Sequence, residues 1–166
     1  DNLGYAENRN LGSKHAKGEW LLYVDADEEV DKNLREEILE RIKPSTHQSI
    51  NSFRIFRKNI ILGRWLKHGG WWPDPVHRLI KKSALVRWEG GLHEQPTVMG
   101  DIGEINGPII HYSKDSISEM VENSKLFAPI EARLLFNAHH PQVRFYHVFI
   151  ATWREFWNRG VKGLGW

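Results

Sequence analysis

The feature that most restricts the possible folds is an apolar run, Trp20-Leu21-Leu22-Tyr23-Val24, that passes directly into the acidic Asp25-Ala26-Asp27-Glu28-Glu29. An all-apolar run of strand length predicts a strand covered on both faces by other layers. The flanking segments agree. Residues 4–17 predict a short helix, and its small residues Ala6, Gly12 and Ala16 let it lie close to a sheet. Residues 32–43 predict another, with Asp31 as N-cap and Leu34, Ile38 and Ile42 as a buried stripe. Helix, strand, acidic turn and helix in that order predict an α/β layer fold.

Further along, alternation over residues 52–62 predicts one or two strands, and 76–81, 85–88 and 109–112 predict shorter ones. Residues 63–75 predict a loop carrying Trp65, Trp71 and Trp72, broken by Gly69-Gly70 and two prolines. Past Ser116 the period becomes helical, with Ile117, Met120, Val121, Ser124, Phe127 and Ala128 on one face. Residues 142–158 predict a second helix, aromatic on most sides. The composition shift near residue 115 divides the chain into an α/β part, 1–115, and a helical tail, 116–166.

Composition removes several classes of function. Cysteine is absent, which excludes a disulfide scaffold, a thiolate zinc site and a cysteine nucleophile. No apolar run approaches the ~18 residues of a membrane span. The net charge of +2 gives no electrostatic case for nucleic acid. The charge is unevenly spread, however. From Pro141 onward four bases (Arg144, Arg154, Arg159, Lys162) face one acid (Glu155), among six aromatic residues between Phe145 and Trp157. That mixture fits a helix at a membrane surface, or a helix packed on the α/β part.

Several residues have the chemistry for a site. Asp25 and Asp27 stand at the carboxyl end of the apolar strand, where ligands collect in open α/β sheets. Two such carboxylates suit Mg2+ or Mn2+, which can neutralise a diphosphate; the alternative is a solvated turn favouring the next helix N-terminus. His93-Glu94 follows Gly90-Gly91, and a carboxylate there can take a proton from an alcohol, or be an exposed polar turn. His111 ends an apolar strand and can complete a metal shell, or be a hydrogen-bonded, partly buried residue. Arg78 and its neighbour His77 have similar standing. Arg9 can reach a phosphate, pair with Asp25, or lie at the surface. Trp71 and Trp72 can stack on sugar rings or close the core.

Asn10, Gly18-Glu19-Trp20, Leu22 and Asp25-Ala26-Asp27-Glu28, followed by Arg78-Leu79, Gly90 to Glu94 and His111-Tyr112, give the chain a specific likeness. It resembles the family-2 glycosyltransferases, and more closely their lipopolysaccharide-core branch, over nearly all 166 residues. The resemblance implies a partial GT-A fold, with a Rossmann-like mixed sheet and a C-terminal helical extension. It also implies inverting transfer of a sugar from a nucleotide-sugar donor to a hydroxyl of a glycan or glycolipid acceptor. By that likeness Glu94 is the catalytic base, Asp27 and His111 hold Mg2+ or Mn2+, and Asp25, Arg9 and Arg78 face the donor. His93, Trp71 and Trp72 fall to the acceptor side, with His93 where many relatives have an acid. The expected setting is lipopolysaccharide or envelope polysaccharide synthesis in the cytoplasm, at the inner face of the plasma membrane where a lipid-linked acceptor is met. The family's opening strand–helix–strand unit is missing before Asp1, so the likeness implies a fragment whose strand 20–24 lacks sheet neighbours. Two other readings stay open: a non-catalytic carbohydrate-binding module and a sugar nucleotidyltransferase.

Overall fold

A computed structural model describes residues 4–43, 49–91, 94–142 and 144–163. The elements in chain order are α1 (Tyr5–His15), β1 (Trp20–Leu22), β2 (Glu28–Glu29), α2 (Lys32–Arg41), β3 (Ile50–Ile61), β4 (Arg64–Trp65), β5 (Pro75–Lys81), β6 (Leu85–Glu89), β7 (Gln95–Val98), β8 (Asp101–Lys114), α3 (Ile117–Asn137) and α4 (Phe145–Glu155). A π-helical stretch, Phe156–Lys162, continues α4. The residues cluster into two units: Asp1–Lys58 with Asp74–His111, and Asn59–Pro73 with Tyr112–Trp166. The fold is mixed α/β with C-terminal helices, consistent with a partial GT-A fold.

In the first unit the strands run in the order β1-β5-β3-β8-β2. Leu34 and Ile38 of α2 pack on Phe53, Ile55, Leu79, Ile105 and Ile109 from one sheet face. Asp31 caps α2 as its sequence predicts, its Oδ1 accepting from the Leu34 N–H at 2.7 Å. The other face is covered by α1 and the β6–β7 hairpin, where Ala6, Ile80 and Trp88 form a second cluster. The strand period of two separates these cores: Leu79 of β5 faces α2, and Ile80 faces α1.

Helix α1 has one buried apolar residue, Ala6, so packing alone holds it weakly. Asn10 supplies the attachment. Its amide donates to the Trp88 carbonyl at 2.9 Å and its oxygen accepts from the Trp88 N–H at 2.8 Å. Those backbone groups of β6 turn away from β7, where Trp88 stands opposite Pro96, a residue with no N–H to offer the ladder.

Three expectations change in this unit. The strand at 20–24 is shorter and has a sheet neighbour: β1 pairs antiparallel with β5, at the sheet edge. Leu21 is buried there, but Leu22 and Val24 are 40% and 43% exposed, so the run is not covered on both faces. The last strand is β8, far longer than 109–112. Gly103 and Gly107 interrupt its pattern because they are sites of close approach: a Cβ at Gly103 would stand 2.9 Å from the Phe53 ring. Finally, Gln95–Val98 adds a strand that the sequence pattern does not predict.

In the second unit, β4 pairs back on the end of β3 around Leu62 and Gly63, with φ of 50° and 71°, the left-handed pair of a tight hairpin turn. The predicted loop 63–75 therefore begins with a strand. Trp65 and Trp72 meet edge to face with ring centres 5.6 Å apart. Ser116 caps α3, accepting from the Glu119 N–H at 3.1 Å, while Glu119 accepts from the Asp115 N–H. The Gly69 N–H donates to the Gly163 carbonyl at 2.8 Å, tying the end of the π-helical stretch to this loop. Neither α3 nor α4 contains a buried residue.

Candidate active site

The acidic turn is built by its own hydrogen bonds. Past β1 the Tyr23 N–H still donates to the Arg78 carbonyl at 2.8 Å, keeping the chain beside β5. The Glu28 N–H then donates to the Asp25 carbonyl at 3.0 Å, and Glu28 Oε2 accepts from the Asp25 N–H at 3.0 Å. This double closure turns Glu28 inward, its side chain fully buried, and leaves Ala26 and Asp27 at the tip. The pairing of β2 with β8 sets Glu28 opposite His111. As a result His111 Nε2 stands 3.4 Å from Asp27 Oδ2.

Two arginines lock this turn to the rest of the unit. Arg78, on the same face of β5 as Ile80, donates through Nη2 to Asp25 Oδ2 at 2.6 Å and Glu28 Oε1 at 2.5 Å. Arg9 approaches from α1. Its Nη2 donates to Asp25 Oδ1 at 2.7 Å and its Nε to Glu94 Oε1 at 2.9 Å. The side chains of Arg9 and Glu94 are only 13% and 14% exposed. The guanidinium carbon of Arg9 lies 4.9 Å from the Trp88 ring centre and 5.7 Å from that of Tyr23, so aromatic faces back the charge. One guanidinium thus joins the first acid of the turn to a carboxylate 69 positions later in the chain.

The electrostatics follow. Burial pushes the Asp25 carboxyl up, but Arg78 and Arg9 outweigh it and hold the group below the usual carboxylate range. Burial lowers the Arg9 guanidinium, and Asp25 and Glu94 more than restore it, so its pKa ends above the usual arginine value. Two guanidinium groups face four carboxylates (Asp25, Asp27, Glu28 and Glu94), which leaves an excess of negative charge around a half-exposed Asp27. The donor set fits a divalent cation of the Mg2+ or Mn2+ kind. A carboxylate and an imidazole 3.4 Å apart approach the ~3 Å between adjacent corners of an octahedron with ~2.1 Å bonds. Among the described residues no group of three His, Cys, Asp or Glu is arranged to enclose a metal. Asp27 and His111 would therefore share the ion with oxygens of a ligand, as Mg2+ sites commonly do.

Six of the nine singled-out residues belong to the first unit: Arg9, Asp25, Asp27, Arg78, Glu94 and His111. His93 lies outside the described residues. Trp71 and Trp72 belong to the second unit, where Trp72 meets Trp65 and the Trp71 carbonyl accepts from the buried Asn59 at 3.2 Å. The sequence marks Glu28 and Asn10 only as parts of the family likeness and gives neither a role. Glu28 was visible as the third acid of the turn, but its inward role depends on the β2–β8 register. Asn10 stands next to Arg9, and nothing in its spacing marks a bond to Trp88.

The profile described as Glycosyl transferase family 2 matches residues 1–91, a stretch that includes Arg9, the acidic turn and Arg78 and ends three residues before Glu94. Among curated proteins, the lipopolysaccharide core biosynthesis glycosyltransferase LpsC of Rhizobium meliloti (strain 1021) is 24% identical over 136 residues, covering 78% of this chain and 48% of LpsC. The chain thus spans about half the length of this curated relative.

Proposed function

Since the chain belongs to glycosyl transferase family 2, we propose that it moves a sugar from a nucleotide-sugar donor to a hydroxyl of a glycan or glycolipid acceptor, with inversion, in lipopolysaccharide or envelope polysaccharide synthesis. The observation that carries this reading is Arg9, which holds Asp25 of the acidic turn and Glu94 on one guanidinium. A donor-facing carboxylate and a proton acceptor linked in this way can serve one reaction centre. The similarity to LpsC supports the envelope setting.

Asp27 and His111 are the residues that would hold the divalent cation. When bound, the ion neutralises charge on a leaving diphosphate. Glu94 Oε1 is engaged by Arg9, so Oε2 receives the proton of the acceptor hydroxyl. The acceptor oxygen bonds to the anomeric carbon as the bond from that carbon to the diphosphate oxygen breaks. A single displacement from the opposite face inverts the centre. Arg78 holds Asp25 and Glu28 together, so the turn keeps its shape when charge develops beside it.

The test uses the full chain, a panel of nucleoside-diphosphate sugars and Mn2+. Glu94→Gln is expected to abolish transfer while donor affinity survives, and Asp27→Asn to lose the Mn2+ response. Near-wild-type turnover in Glu94→Gln removes Glu94 from the chemistry. Formation of a nucleotide-sugar from a sugar phosphate and a nucleoside triphosphate would identify a nucleotidyltransferase instead. Sugar binding with no product and no metal response would identify a binding module.

A further inference from the structure

Helix α4 and its π-helical continuation leave an unusual surface in solvent. Phe145, Phe149 and Trp153 are 80%, 63% and 65% exposed, and Tyr146, Ile150, Phe156 and Trp157 are exposed as well. At helical spacing Phe145, Phe149, Trp153 and Phe156 share one face, flanked by Tyr146, Ile150 and Trp157. The rings are organised along the helix: Phe145 meets Phe149 edge to face at 5.1 Å, and Trp153 lies 5.8 Å from Phe156. Phe149, Ile150, Trp153 and Trp157 also line an open hollow of about 820 Å³ edged by Arg154 and Asn158. A contiguous aromatic face of this kind marks an interaction surface.

The charge says what kind. The segment from Pro141 holds four bases and one acid. Glu155, the acid, is already engaged by Arg159 at 2.8 Å and Arg154 at 3.5 Å. Arg154 stands at the edge of the aromatic hollow, so positive charge borders this surface. A second copy docked face to face would bring arginines against arginines. An anionic lipid surface meets both requirements: phosphates for the bases, and an interfacial layer for tyrosine and tryptophan rings with one polar edge. Among the described residues no helix is long and apolar enough to cross a membrane, so the geometry is that of a helix lying on one.

We propose that α4 and Phe156–Lys162 form a lipid-docking surface. Phe145, Phe149, Trp153 and Phe156 insert between headgroups and the ends of the acyl chains, and Arg144, Arg154, Arg159 and Lys162 contact lipid phosphates. This does not depend on the sugar-transfer reading, because none of these residues belongs to the candidate active site.

The experiment is flotation of the full chain with phosphatidylcholine vesicles, with and without 30 mole per cent phosphatidylglycerol (roughly the anionic content that makes such surfaces attract basic segments). The chain is expected to float with the anionic vesicles and to bind neutral ones at least roughly tenfold more weakly, with a similar loss in high salt. Phe149→Glu/Trp153→Glu is expected to lower partitioning roughly a hundredfold, since it places two charges in the inserted face. Arg154→Glu/Lys162→Glu should weaken binding to anionic vesicles alone. Far-UV circular dichroism checks that these exposed substitutions leave the fold intact. No flotation with anionic vesicles, or unchanged flotation of the Phe149/Trp153 variant, overturns the proposal. So does a stable dimer in sedimentation that the same variant dissociates, which would make the face a contact between copies.

Discussion

Arg9→Met tests the central contact without any assay of catalysis. The substitution keeps a long apolar stem and removes the guanidinium. Asp25 is 37% exposed and retains Arg78, so its loss is small. Glu94, 14% exposed, is left as a carboxylate without its cation. Breaking a fully buried pair from one side costs about 3–5 kcal/mol, and partial solvent access reduces this to about 2 kcal/mol here. Losing the contact with Trp88 adds about 0.5–1 kcal/mol. The expected total is about 2.5–3 kcal/mol, a large share of the ~5–15 kcal/mol that stabilises a typical domain. In a chain of this size that lowers Tm by roughly 6–10 °C. Glu94→Gln should rescue part of the loss, because a neutral amide tolerates the site without a cation. A double-mutant cycle by urea unfolding should therefore give a coupling of about 1.5–2 kcal/mol between positions 9 and 94. Additive losses, with coupling below about 0.5 kcal/mol, would mean that Arg9 does not hold Glu94, and the linked site would fall with it.

Other outcomes follow from the same structure. Gly103→Ala should cost roughly 1–3 kcal/mol, because the added methyl meets the buried Phe53 ring and Ile50; wild-type thermal stability in this variant would contradict the packing of β8 on β3. His77, bonded to Ser52 at 3.2 Å, has its pKa lowered by burial and then by the charge of Arg54. The unfolded chain therefore takes a proton near pH 6.5 that the folded His77 resists, so stability should fall as pH drops below about 6.5. His77→Gln should flatten that part of the profile, measured as urea midpoints at two pH values; equal slopes in both proteins would assign the loss elsewhere.

The parts of the fold that can be read in the sequence are those set by local chemistry. Asp31 marks the start of α2 because a cap acts within three residues. The acidic turn was apparent because five polar or small residues abut an apolar strand. Its internal order was not. Glu28 is an exposed-looking acid until β2 pairs with β8, and that pairing spans more than eighty positions. Strand β8 was hidden for a related reason: Gly103 and Gly107 look like breakers locally, yet each lies where another element approaches closely. The apolar run at Trp20 misled in the opposite direction, since an edge strand can carry apolar residues that remain half in solvent. Of the site, the acid types and positions were legible, whereas the pairing of Arg9 with Asp25 was one of three readings and its bond to Glu94 was none of them. Only the tertiary approach of α1 to β6 decides among them.

Asn10 adds a protective consequence. Strand β6 belongs to a ribbon of two, and such a ribbon ordinarily offers a bare rim of peptide groups to any passing chain. At Trp88 that rim is occupied by a side-chain amide, which carries the same donor and acceptor as a peptide. A helix thereby imitates the next strand and seals the rim against foreign partners. Loss of the amide would release two effects together, a stickier ribbon and a helix free to roll about its axis, carrying the neighbouring guanidinium out of aim.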